Sequence, residues 1–113
     1  MVRVRVEKVQ EMIRQEVSKI ILNDLKDPRV KLATVTAVEM TNDLRAAKIY
    51  ISLYGGDEEK ERSLAGLNRA MGFIRSEIGR RIKLRAIPEL HLCIDKSLEY
   101  SEHIQGILAK INN

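Results

Sequence analysis

Six cationic side chains, Arg69, Arg75, Arg80, Arg81, Lys83 and Arg85, fall within seventeen residues, and Glu77 is the single acidic residue among them. Five of the six are arginines, whose planar guanidinium forks pair bidentately with phosphate oxygens. The segment therefore reads as a surface for a nucleic-acid backbone, with a solvated helix face as the competing reading. Arg3, Arg5 and Lys8 form a smaller basic group near the start of the chain. Phe73, Tyr50, Tyr54 and Tyr100 are the only aromatic residues, and there is no Trp, which argues against a base-stacking platform. Phe73 sits beside an apolar helical stripe and reads as core, so recognition is expected to be of backbone and shape.

Other chemistry is poorly supplied. His91 and Cys93 alternate along one strand and would share a face, with His103 on a separate element. Structural zinc ordinarily takes four ligands in paired short spacings, so these residues read as a strand histidine and a small core-like cysteine, with no metal. Neither a phosphate-cradling loop ending in Lys-Ser/Thr nor a Gly-x-Gly-x-x-Gly after a strand occurs, so no cofactor and no enzymatic activity are expected.

These residues must be positioned by regular elements, and the apolar spacing supplies them. Val6, Val9, Ile13, Val17, Ile20 and Ile21 recur at steps of three and four, which predicts a helix over 6–25 ending near Lys26 or Asp27, ahead of Pro28. The β-branched run from Val30 to Met40 and the alternating run from Ala46 to Leu53 predict two strands joined as a hairpin by the turn-forming TNDLR. GGDEEKE over 55–61 ends the second strand and opens a helix on acidic residues. Leu64, Leu67, Met71, Ile74, Ile78 and Ile82 continue at helical spacing. Gly66, Gly72 and Gly79 lie inside that stretch, each costing about 1 kcal/mol relative to alanine. Gly72 is the expected break, in a left-handed conformation, whereas Gly66 is expected to tolerate alanine unless a neighbour packs on it. Leu90, Leu92 and Ile94 predict a third strand after Pro88, and Ile104, Ile107, Leu108 and Ile111 a short C-terminal helix. The order is α-β-β-α-α-β-α, an α+β class.

The length of 113 residues suits a single domain over 1–113, and an apolar fraction of 44% is ordinary for a globular chain. The formal net charge is +4. No stretch has the roughly 18 to 20 apolar residues of a membrane span. The N-terminus lacks the apolar core of a secretory signal, and one cysteine permits no intrachain disulfide, which together suit a reducing cytoplasm.

The element order is that of a KH domain of the second type, although the expected Gly-x-x-Gly between paired helices is missing. In its place stand Ala70-Met71-Gly72. With Asp27-Pro28-Arg29, with Val38-Glu39-Met40 leading through Asp43-Leu44 to Ala47-Lys48-Ile49-Tyr50, with GFIRSEIG at 72–79, LRAIPEL at 84–90 and Asp95-Lys96-Ser97, the chain resembles the ribosome-binding factor A family over nearly its whole length. The resemblance implies a KH-like fold with a helix kink at Ala70 and Gly72. It also implies association with free, immature 30S small ribosomal subunits, late maturation of 16S rRNA near its 5′ end, and importance for growth in the cold. The implied protein is a cytoplasmic monomer with no membrane partner. On this reading Arg69, Arg75, Arg80, Arg81, Lys83 and Arg85 contact RNA phosphates, with Arg3, Arg5 and Lys8 as a second group. The chain stops at Asn113 without the long charged extension of many members. Two rivals stay open: a general KH-like RNA-binding regulator, and a protein-interaction module using Tyr50, Tyr54 and the acidic loop at 57–61.

Overall fold

A computed structural model describes residues 2–95, and the expected C-terminal helix and His103 lie outside them. Helix α1 spans Val2–Lys19 and runs into one wide π-helical turn, Ile20–Asp24, closed by Leu25 N–H donating to Ile20 O. The helix thus ends slightly before the expected Lys26 or Asp27, because Leu25 already has an extended backbone. All six residues of the expected α1 stripe, Val6 through Ile21, are buried.

Asp27 accepts a hydrogen bond from Arg29 N, and Pro28 occupies the first position of a 3₁₀ turn over Pro28–Leu32. That cap claims Val30 for the turn, so strand β1 begins at Ala33 and runs to Met40 instead of starting at Val30. Strand β2, Ala46–Leu53, pairs antiparallel with it. The register slips between Val35 and Ala37, and this bulge moves the inward set from Ala33 and Val35 to Val38 and Met40, so four residues of β1 still reach the core.

Helix α2, Asp57–Arg81, opens after Gly55, whose φ of +100° is open to glycine at little cost. Asp57, Glu58 and Glu59 fill its first turn and Arg80 and Arg81 its last, matching the helix dipole at both ends. Strand β3, Glu89–Ile94, then pairs parallel with β2, giving the order β1-β2-β3. Both helices pack on one face of the sheet, and their apolar stripes join Ile49, Ile51 and Leu53 in a single core.

The two helices expected on either side of Gly72 are one helix of 25 residues. Gly72 has no positive φ, and a Cβ built on it would meet nothing within 4 Å. The other glycines explain why the stretch is glycine-rich without a break. At Gly66 a Cβ would lie 3.1 Å from Val30 Cγ1 and 3.1 Å from Asp27 Oδ2, and at Gly79 2.4 Å from Ile87 Cδ1. They mark close approaches of neighbouring segments to α2. The described order is therefore α-β-β-α-β.

Candidate nucleic-acid interface

Helix α2 sorts its side chains by face. Ser63, Gly66, Leu67, Ile74 and Ile78 are buried, while Arg62, Ala65, Arg69, Gly72, Phe73, Ser76 and Arg80 are exposed. The exposed set recurs at steps of three, four and seven, so it forms one ridge along the solvent side. Arginines stand along it, with small residues between them that leave the helix backbone open to approach. Arg69 makes no ion pair among the described residues, its charge acting on the Asp27 carboxyl only at longer range, whereas Arg80 donates to Glu77 at 2.7 Å and keeps 70% of its side chain exposed. Phe73 lies on this ridge, 47% exposed, and is not core as its neighbours in sequence suggested. An aromatic ring among guanidiniums adds a surface on which a base can stack.

The remaining basic residues of the segment do different work. Arg81 points to the other side, where its guanidinium pairs with Glu77 of its own helix, Glu16 of α1 and Asp24 of the π turn, and only 22% of it stays exposed. Its ion pairs hold its own ionisation above the usual arginine value, with Asp24 the largest cause. Glu77, hydrogen-bonded first to Arg80 and then to Arg81, is held down at about 2. Arg75 donates to Pro88 O at 3.1 Å and to Ile87 O at 3.0 Å, tying the loop before β3 to α2. Compensation of the basic segment thus comes from α1 as well as from Glu77, which no local count of charges reveals.

A second basic site forms at one end of the sheet. Arg5 of α1, Arg45 at the end of the β1–β2 turn and Arg85 in the loop after α2 line a cleft of about 550 Å³, whose walls include Leu44, Leu84 and Ala86. The turn is tightly specified: Thr41 N–H donates to Ala46 O, Asp43 Oδ1 accepts from Thr41 Oγ1 and from Arg45 N, and Leu44 is held at φ +62°. Arg45 was not among the residues singled out from sequence, and only the placement of the hairpin turn beside the start of α1 brings it to Arg5. Lys83 and Lys8 are exposed, Arg3 stands in the first turn of α1, and Ala70 is half-buried against the core.

His91 is exposed beside Glu89, and Cys93 is half-buried. Among the described residues no group of three or more His, Cys, Asp or Glu side chains is placed to hold a metal ion. No helix among them is long and apolar enough to cross a membrane.

The fold and site define a small α+β domain, two helices on a three-stranded sheet, with a basic outer helix face and an arginine-lined cleft. Sequence similarity gives the family: residues 5–108 match the profile of Ribosome-binding factor A. The chain is 45% identical to Ribosome-binding factor A of Brevibacillus brevis over 97% of its own length and 91% of the relative's, and 50% identical to that of Acetivibrio thermocellus over 92% and 85%. It belongs to the ribosome-binding factor A family. Its fold is similar to the crystal structure of ribosome-binding factor A from Thermus thermophilus, with a TM-score of 0.70 and 24% identity over 81% of this chain and 97% of that one. It is also similar, at TM-score 0.63 and 25% identity over 77% and 91%, to a homology model of the Thermus thermophilus factor fitted into a cryo-EM map of a 30S complex.

Proposed function

We propose that this protein binds free, immature 30S small ribosomal subunits and assists late maturation of 16S rRNA, including its 5′-end region, with its greatest importance for growth in the cold. It acts in the cytoplasm as a monomer and without catalysis, as a single domain over 1–113. The domain is read as KH-like of the second type, with α2 running unbroken through Ala70 and Gly72 where that type has a glycine loop between two helices. Binding energy directed at one rRNA conformation shifts the population toward it.

The observation that carries this reading is the ridge of α2, on which Arg69 and Arg80 face solvent with Gly72 and Ser76 between them. A phosphate backbone can approach over Gly72 and Ser76, with the exposed Phe73 ring alongside. Arg5, Lys8, Lys83 and Arg85 extend the basic surface, while Arg75 and Arg81 hold it in shape; Arg3 is kept as a phosphate contact from the sequence pattern alone. The family membership and the fit of a relative into a 30S map support the choice of partner.

Cosedimentation tests it. The protein is expected to travel with free 30S subunits in preference to naked 16S rRNA and to translating ribosomes, and Arg69→Ala/Arg80→Ala to lose most of that binding while remaining folded. A double variant that sediments like the parent would remove the ridge from the interface.

A further inference from the structure

The cleft at the end of the sheet has features a simple phosphate patch does not need. Three guanidiniums, Arg5, Arg45 and Arg85, come from three separate elements to one cavity, and among the described residues Asp43 is the single carboxylate lining it. Among the described residues Arg5 and Arg85 have no ion-pair partner, and Arg45 Nε stands 3.9 Å from Asp43 Oδ2. The volume, about 550 Å³, lies within the range of small-ligand sites. Leu44 and Leu84 give the cavity an apolar wall. Leu44 occupies a left-handed position that glycine or asparagine would take at less cost, and the hydrogen bonds of Thr41 and Asp43 hold it there.

We propose that this cleft takes one unpaired RNA nucleotide, with its phosphate against Arg5, Arg45 and Arg85, its base on Leu44 and Leu84, and a preference for guanine set by the Asp43 carboxylate. The proposal rests on the reading of the protein as RNA-facing. Asp43 Oδ1 is already occupied by Thr41 Oγ1 and Arg45 N, and Oδ2, which faces Arg45 Nε beyond hydrogen-bond distance at 3.9 Å, keeps the capacity to accept from a ligand. The hydroxyl of Thr41, then the amide of Arg45, hold the carboxyl below its ordinary value, so near neutral pH it accepts only. Guanine offers such an acceptor two adjacent donors, N1–H and the exocyclic amine. Adenine and cytosine place a ring acceptor beside their amine, and uracil flanks its one N–H with carbonyls.

The full chain is titrated with 5′-GMP, 5′-CMP and inorganic phosphate and followed by amide NMR, with 30S cosedimentation in parallel. GMP is expected to shift the amides of Leu44, Arg45, Leu84 and Ala86 and to bind about tenfold more tightly than CMP, as one charge-assisted hydrogen bond shared by its two adjacent donors allows. Asp43→Asn should abolish that preference and leave phosphate binding, and Arg45→Ala should weaken all three ligands. Equal affinity for GMP, CMP and phosphate, or shifts confined to the Arg69–Arg80 ridge, would overturn the proposal. An absent GMP preference with an intact effect of Arg69→Ala/Arg80→Ala on 30S binding fells the cleft alone. Intact GMP preference with no effect of that double variant fells the ridge and leaves the cleft.

Discussion

Phe73 and Ile74 are neighbours in the chain and lie on opposite faces of α2. Ile74 is 1% exposed in the core, and Phe73 is 47% exposed among arginines. The same division separates Arg81, sunk among three carboxylates, from Arg69, which is ion-paired with none among the described residues. One helix thus carries its stability on one side and its available charge on the other. A basic segment can be rich in arginine and still offer only part of that charge to a partner.

Truncation of the two neighbours separates the faces most strongly. Ile74→Ala is expected to cost about 2–5 kcal/mol, as buried Ile-to-Ala changes do. Phe73→Ala, with half its ring in solvent, should stay within about 0.5 kcal/mol by the same denaturant titration. Equal costs would mean that Phe73 belongs to the core and that the ridge is misplaced.

The glycines divide in the same way, with smaller effects. Gly66→Ala brings a Cβ against Val30, which is fully buried, and against Asp27, so both must shift by a few tenths of an ångström. After the gain in helix propensity it should still cost about 1 kcal/mol, read as a melting temperature lower by about 4–8 °C. Gly72→Ala meets nothing and has no positive φ to relieve, so it should stabilise by up to about 1 kcal/mol while weakening 30S binding, because the ridge no longer presents open backbone there. A Gly72→Ala protein that melts lower would restore the break at this position.

Acid provides the mildest test. Glu77 is held at about 2 against an ordinary 4.5 by Arg80 and Arg81, and Asp27 at about 2 against 3.8 by Arg29. Both carboxyls titrate lower folded than unfolded, so their stabilisation is complete above about pH 4.5 and is lost as pH falls toward 2. Arg81→Gln should flatten the dependence of melting temperature on pH in that window. A wild-type slope in the variant would detach Arg81 from the account.

Most of the fold was legible because burial obeys period. The α1 stripe, the alternation of Ile49, Ile51 and Leu53 and the third strand after Pro88 all follow from spacing alone. The 3₁₀ turn at Pro28–Leu32 was missed because Val30 has strand propensity, and the Asp27 cap outweighs it. Gly72 misled because a glycine's local cost says nothing of what comes near it. Gly66 and Gly79 are close-approach sites for the Asp27–Val30 turn and for Ile87, which only the tertiary arrangement brings to α2. Basic residues were legible as a cluster, but not which were free. Glu16 and Asp24 lie some sixty residues from Arg81, and Arg45 lies forty residues along the chain from Arg5.

The central claim, that the outer ridge of α2 faces ribosomal RNA, is tested most directly by the salt dependence of 30S binding for two double variants. For every phosphate the protein no longer neutralises, the slope of log affinity against log salt should fall by about 0.7–0.9. Arg69→Ala/Arg80→Ala should therefore flatten the slope by the share of about two phosphates, and Arg75→Ala/Arg81→Ala should leave it near the parent's once the folded fraction is matched. A slope lowered by the second pair and untouched by the first would contradict the account.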